Sequence, residues 1–172
     1  IKKLSNLVKP DIGIITNVGE AHIENFYNLS GIAKAKSEII QNIKNNGYLI
    51  LNKDDRYFNY FVKIAKTRKI RVLSFGIIKK SDACLVSNKT YKNYNLLHLK
   101  IFNKSIFLKT KNINSINILN LLSSLLVLSI LNLDLSKTEN LTSFLSSMEG
   151  RGKVHSVKRY KKKFNLIDES YN

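Results

Sequence analysis

The chain of 172 residues carries 29 basic and 12 acidic side chains, a formal net charge of +17, and 44% of its residues are apolar. That length suits one ordinary domain with a real core, and apolar residues in periodic segments exclude a disordered basic tail. Lys, Asn and Ile, all products of A- and T-rich codons, are enriched together while Arg is scarce, so the charge reads first as compositional drift rather than a nucleic-acid footprint.

Residues 11–16, Asp-Ile-Gly-Ile-Ile-Thr after Pro10, form a short apolar run of the kind found in a buried parallel strand. A polar loop with Gly19 and His22 follows. Ser30 or Gly31 then opens a helix of about 15 residues that stops near Asn45-Asn46-Gly47. The next strand covers 48–51, Asp54 or Asp55 caps a second helix through Lys66, and 70–75 is a third strand closed by Gly76. This alternation predicts a doubly wound, mostly parallel α/β sheet. After Gly76 the pattern changes to short runs at 83–87, 94–101 and 105–108, a small antiparallel β meander. A long apolar helix over 113–131, a shorter one over 138–147, a loop at Gly150-Arg151-Gly152 and strands at 153–160 and 164–167 complete the chain. The run Lys161-Lys162-Lys163 reads as a solvated hairpin turn.

The lone Cys84 excludes an intrachain disulfide and fits a reducing compartment, so a cytoplasmic location is expected. The first residues lack the apolar core of a signal peptide. The apolar stretch 116–133 is broken by Asn117, Asn120, Ser123, Ser124, Ser129 and Asn132, so no membrane span is expected. The chain starts without Met and ends directly after a strand-like run, so both ends read as cut.

Chemistry is expected at the carboxyl end of the first strand, where open α/β sheets bind ligands. Thr16, Asn17, Glu20, His22 and Glu24 crowd there, a set able to hold a divalent cation or phosphate; a lone loop histidine serves equally well as a hydrogen-bonded structural residue. On the following helix Lys36 shares the apolar face of Ile32, Ile39, Ile40 and Ile43, whereas Lys34 and Ser37 fall where water reaches them. A core-side lysine must snorkel, pair or lose its charge, and a neutral amine can do chemistry. Asn117 and Asn120 share one helix face and offer the donor and acceptor that a purine edge needs; helix capping would use the same residues. The seven glycines never take the spacing of a phosphate loop.

The run from Pro10 to His22 with Gly-Glu-Ala-His, followed by Ala35-Lys36-Ser37-Glu38, resembles the Mur ligases, in the branch that joins D-alanyl-D-alanine to UDP-N-acetylmuramoyl-tripeptide. Asn52-Lys53-Asp54-Asp55, Asn117-Ile118-Leu119-Asn120, Gly150-Arg151 and Asp168-Glu169-Ser170-Tyr171-Asn172 agree with it in order and spacing. The resemblance implies an ATP- and Mg²⁺-dependent amide ligase of peptidoglycan synthesis working through an acyl phosphate, with no specific nucleic acid as partner. By the matching motifs, His22 would be a metal ligand and Lys36 the lysine that is carbamylated into one. Asn117 and Asn120 would approach adenine, and Arg151 and Glu169 the phosphates and ribose. Ile116 stands where the family carries His, and Glu169 where Asp is common. It also implies that residues 1–164 are a partial ATP-binding central domain lacking its phosphate loop. Residues 165–172 would then end that domain and lead to a further one, and this piece alone would not turn over. Another Mur-type ligase, a folylpolyglutamate synthase-like enzyme and a basic nucleic-acid-binding module are the alternatives.

Overall fold

The computed structural model describes residues 1–19, 26, 28–111, 113–138, 153–168 and 170. In chain order the elements are α1 (Lys2–Val8), β1 (Ile12–Ile15), α2 (Leu29–Ser37) running into a 3₁₀ turn (Glu38–Asn42), β2 (Tyr48–Asn52), α3 (Phe58–Ala65) and β3 (Arg71–Gly76). These are followed by β4 (Ala83–Thr90), β5 (Asn95–Ile101), β6 (Lys104–Thr110), α4 (Ser115–Ile130), a 3₁₀ turn (Leu135–Lys137), β7 (Lys153–Arg159) and β8 (Lys162–Asp168).

Strands β1 to β6 form one mixed sheet in sequence order, and β7 and β8 form a separate antiparallel pair. Pairing is parallel from β1 to β4 and antiparallel from β4 to β6. The meander is therefore no separate body: it continues the parallel sheet through Phe75↔Ala83 and Gly76↔Cys84. Because β4 begins level with the end of β3, the three antiparallel strands project past the sheet's carboxyl edge.

Alternation along β2 divides the core. Leu49 and Leu51 face α2, its 3₁₀ extension and α3 through Ile32, Ile40, Ile43 and Phe61. Ile50 faces the other way, into a cluster with Phe75, Leu97, Leu99, Leu108 and the α4 residues Ile118, Leu122, Leu125 and Leu126. Helices thus cover both faces, as the doubly wound reading expects.

Boundaries differ where side chains rather than periodicity decide them. Asn28, not Ser30 or Gly31, caps α2 by accepting the Gly31 N–H at 2.9 Å. Neither Asp54 nor Asp55 is the cap residue of α3, which starts after Tyr57. Asp55 instead accepts the Tyr57 N–H at 2.7 Å, and Asp54 accepts three backbone N–H groups, from Ile77, Ile78 and Lys79. Ser37 is buried rather than solvent-facing, its hydroxyl satisfied by the Lys34 carbonyl at 2.7 Å. The hairpin turn lies at Tyr160-Lys161, both with positive φ, so Lys162 and Lys163 belong to β8. Helix α1 has no counterpart in the sequence reading, since its Leu4, Leu7 and Val8 are exposed and trace no buried stripe. The helix expected over 138–147 and the loop 150–152 lie outside the described residues, apart from Thr138.

Candidate functional site

Strand β1 ends at Ile15 and delivers Thr16 and Asn17, both exposed, to the carboxyl edge of the sheet. Strand β2 ends one step away and delivers Asp54 and Asp55 to the same edge. The two loops are tied together, because the Val18 N–H donates to Asp55 Oδ2 at 2.6 Å. With its other oxygen holding the start of α3, the Asp55 carboxylate fixes the backbone that leads toward Glu20 and His22.

Lys36 joins this edge from α2. Its stem runs over the apolar side of the helix and its Nζ donates to the Asn17 carbonyl at 2.7 Å. The side chain is half-buried, and together with Ile1, Ile14, Ile15, Thr16 and Ile39 it lines a shallow pocket of about 190 Å³. Burial holds the amine below its ordinary lysine pKa, and the negative charge of Asp55 offsets part of that effect. The sequence reading of a core-side lysine that snorkels and pairs is thus what the fold contains. A half-buried lysine at the mouth of a pocket becomes, once deprotonated, a nucleophile toward a small electrophile.

Asp54 shares the sequence neighbourhood of Asp55 but not its position. Its three N–H acceptances lock the connection from β3 to β4, and a Cβ placed on Gly76 would stand 3.1 Å from both carboxylate oxygens. Asp54 is a structural clamp, and Asp55 is the site residue that sequence reasoning missed. The available signal was topological: two carboxylates directly after a second parallel strand lie on the ligand-binding edge.

Asn117 and Asn120 lie in the first turns of α4, Asn117 half-buried and Asn120 exposed. Capping is done by Asn114, whose side chain accepts the Asn117 N–H at 2.9 Å. Residues Glu20, His22, Arg151 and Glu169 lie outside the described residues. Among the described residues, no group of three or more His, Cys, Asp or Glu side chains gathers to hold a cation, and no helix is long and apolar enough to cross a membrane.

Comparison with known proteins agrees with this architecture. Residues 2–128 match the family model for the Mur ligase middle domain. The UDP-N-acetylmuramoyl-tripeptide–D-alanyl-D-alanine ligase of Rickettsia prowazekii is 32% identical over the whole chain, which covers 38% of that relative. A crystal structure of the MurF ligase of Thermotoga maritima in complex with ADP superposes with a TM-score of 0.82 at 26% identity, over all of this chain and 38% of that one. MurF from Acinetobacter baumannii shares the fold with a TM-score of 0.83 at 23% identity, over 99% of this chain and 36% of that one. The chain therefore spans little more than a third of the length of the proteins it matches. By its middle-domain match and by the sheet, helices and lysine-bearing edge described above, the chain belongs to the Mur ligase family.

Proposed function

We propose that this chain is the larger part of the ATP-binding domain of a ligase that adds D-alanyl-D-alanine to UDP-N-acetylmuramoyl-tripeptide. The observation that carries the reading is the 32% identity to such a ligase over every residue of the chain. The same match gives no preference to the folylpolyglutamate synthase-like or other amide-ligase alternatives. The domain limits are part of the proposal: residues 1–164 form the incomplete ATP-binding domain without its phosphate loop, and 165–172 lead out of it. The open edge of β1 and the exposed apolar side chains of α1 support a further strand and loop there in the longer protein. A nucleotide-linked substrate and ATP place the reaction in the cytoplasm, in keeping with the free Cys84.

ATP supplies the phosphoryl group that activates the tripeptide carboxylate, and Mg²⁺ neutralises charge on the transferring phosphate. The residues present fit such a centre. Lys36 is half-buried, and that burial disfavours its charged form. As the neutral amine, that nitrogen would attack the carbon of carbon dioxide, forming an N–C bond while a C–O π pair moves onto oxygen, and would lose one proton to leave an anionic carbamate able to hold Mg²⁺. His22 would be a second ligand, with Thr16, Asn17 and Glu20 shaping the loop. Asn117 and Asn120 would read adenine, and Arg151 and Glu169 would contact phosphate and ribose. Asp55 positions the loop through Val18.

The test is Lys36→Ala in the full-length enzyme, assayed by D-alanyl-D-alanine-dependent phosphate release. Activity should fall by about three orders of magnitude, the scale of losing one preorganised charge-stabilising group, and a short carboxylic acid should restore part of it. Wild-type turnover in the variant would remove Lys36 from the mechanism.

A further inference from the structure

Away from that edge, the three antiparallel strands present a face that α4 does not cover. Register places Cys84, Lys100 and Ser105 in one row across it, Ser87, His98 and Phe107 in the next, and Lys89, Leu96 and Lys109 in the third. The ring of Phe107 stacks on His98 with centroids 4.4 Å apart and planes 14° from parallel, yet Phe107 remains 56% exposed. The same Phe107 lines a cavity of about 520 Å³ between β6 and the end of α4, with Lys104, Ser129, Asn132 and Asp134 among its walls. The exposed Phe107 ring leaves room for a further planar ring to extend the stack.

The 29 residues from 83 to 111 carry six lysines and no acidic residue, about twice the net charge per residue of the whole chain. Between Asp82 and Asp134 there is no acidic residue, while Lys89, Lys92, Lys100, Lys104, Lys109 and Lys111 are all present. Among the described residues Asp134 is the one carboxylate lining the cavity, where it accepts the Ser136 N–H at 3.0 Å. Open aromatic faces on a sheet, flanked by lysines, are how single strands are held: bases stack, and cations follow the phosphates.

We propose that the uncovered face of β4–β6, centred on Phe107, binds single-stranded nucleic acid, one base stacking on Phe107 and its phosphates running along Lys89, Lys100 and Lys109, which share that face. The site is separate from the Lys36 edge and stands whether or not the ligase reading holds.

The experiment is fluorescence anisotropy of a labelled twelve-nucleotide single strand against the full-length protein over a salt series. Phe107→Ala should weaken binding about tenfold, and Phe107→Trp should retain it, since any large ring can stack. Lys89→Gln, Lys100→Gln and Lys109→Gln together should lower the salt slope by about 2, at roughly 0.7 per phosphate contact on single strands. Lys63→Gln with Lys66→Gln, on and just after α3, controls for general basic charge and should change little. Far-ultraviolet circular dichroism and thermal melting serve as the folding control for the variants. Equal binding by wild type and Phe107→Ala, or an equal effect of the α3 lysines, would overturn the proposal and return the charge to background composition.

Discussion

Lys36 shows how much a single position can announce from sequence. Its place among Ile32, Ile39, Ile40 and Ile43 already implied a cation on the wrong side of a helix, and the fold resolves the conflict by running the stem over apolar surface to the Asn17 carbonyl. Its lowered pKa has a consequence for stability. The charged form is disfavoured in the folded state relative to the unfolded chain, so folding carries that penalty at neutral pH. The penalty disappears as pH rises through the lowered folded value toward the ordinary 10.5. Urea unfolding of wild type and Lys36→Met at a series of pH values should therefore show wild type gaining on the variant as alkalinity increases. A flat or reversed difference would mean that Lys36 is not desolvated. Asp54 and Asp55 were less legible. Adjacent, identical residues after one strand received one joint role as helix caps, whereas one clamps the β3–β4 connection and the other pins the β1 loop. Only the three-dimensional neighbours separate them.

At the scale of elements, strands were legible because burial alternates or runs continuously along them, and the meander's three strands were found within a few residues of their true limits. Its attachment was not. Two parallel pairs between β3 and β4 join the meander to the main sheet across a six-residue connection, and nothing in periodicity distinguishes that from a separate layer. The start of α4 depends on a polar contact that periodicity also hides. Buried Asn95 donates to Asn88 and Thr90 and accepts the buried N–H of Ile113, both at the end of β5 distal to the main sheet. This holds the approach to α4 and thus the first turns that carry Asn117 and Asn120. Asn95→Ala leaves the Ile113 N–H buried without its acceptor, a cost of about 2 kcal/mol. Urea unfolding should register that loss, and in the full-length enzyme the KM for ATP should rise more than kcat falls. An unchanged KM would separate the α4 approach from nucleotide binding.

Across the whole molecule, apolar surface is distributed unevenly. Leu4, Leu7 and Val8 of α1 are 71%, 82% and 69% exposed, and Ile14 on the neighbouring edge strand β1 is 38% exposed. Singly exposed residues need no explanation, but three on one short helix, in a chain whose β1 has a free edge among the described strands, mark a site for another chain. Helix α1 packs on the 3₁₀ extension of α2 through buried Ser5, whose hydroxyl receives the Asn42 side-chain N–H at 2.8 Å, so the helix is anchored by its polar side and offers its apolar side outward. In the longer protein this surface would lie against the strand proposed to precede Ile1. Expressed as residues 1–172 alone, the chain should self-associate through the same surface, with concentration-dependent sedimentation above the 19.7 kDa of one copy. Leu4→Glu with Leu7→Glu should restore the monomer at unchanged thermal stability, because neither side chain contributes to the buried core. The net charge of +17 opposes association, so added salt should strengthen it in the unmodified chain and leave the double variant monomeric. A chain that stays monomeric at high salt would show that α1 alone makes no adhesive surface, leaving the edge of β1 as the surface that another strand covers.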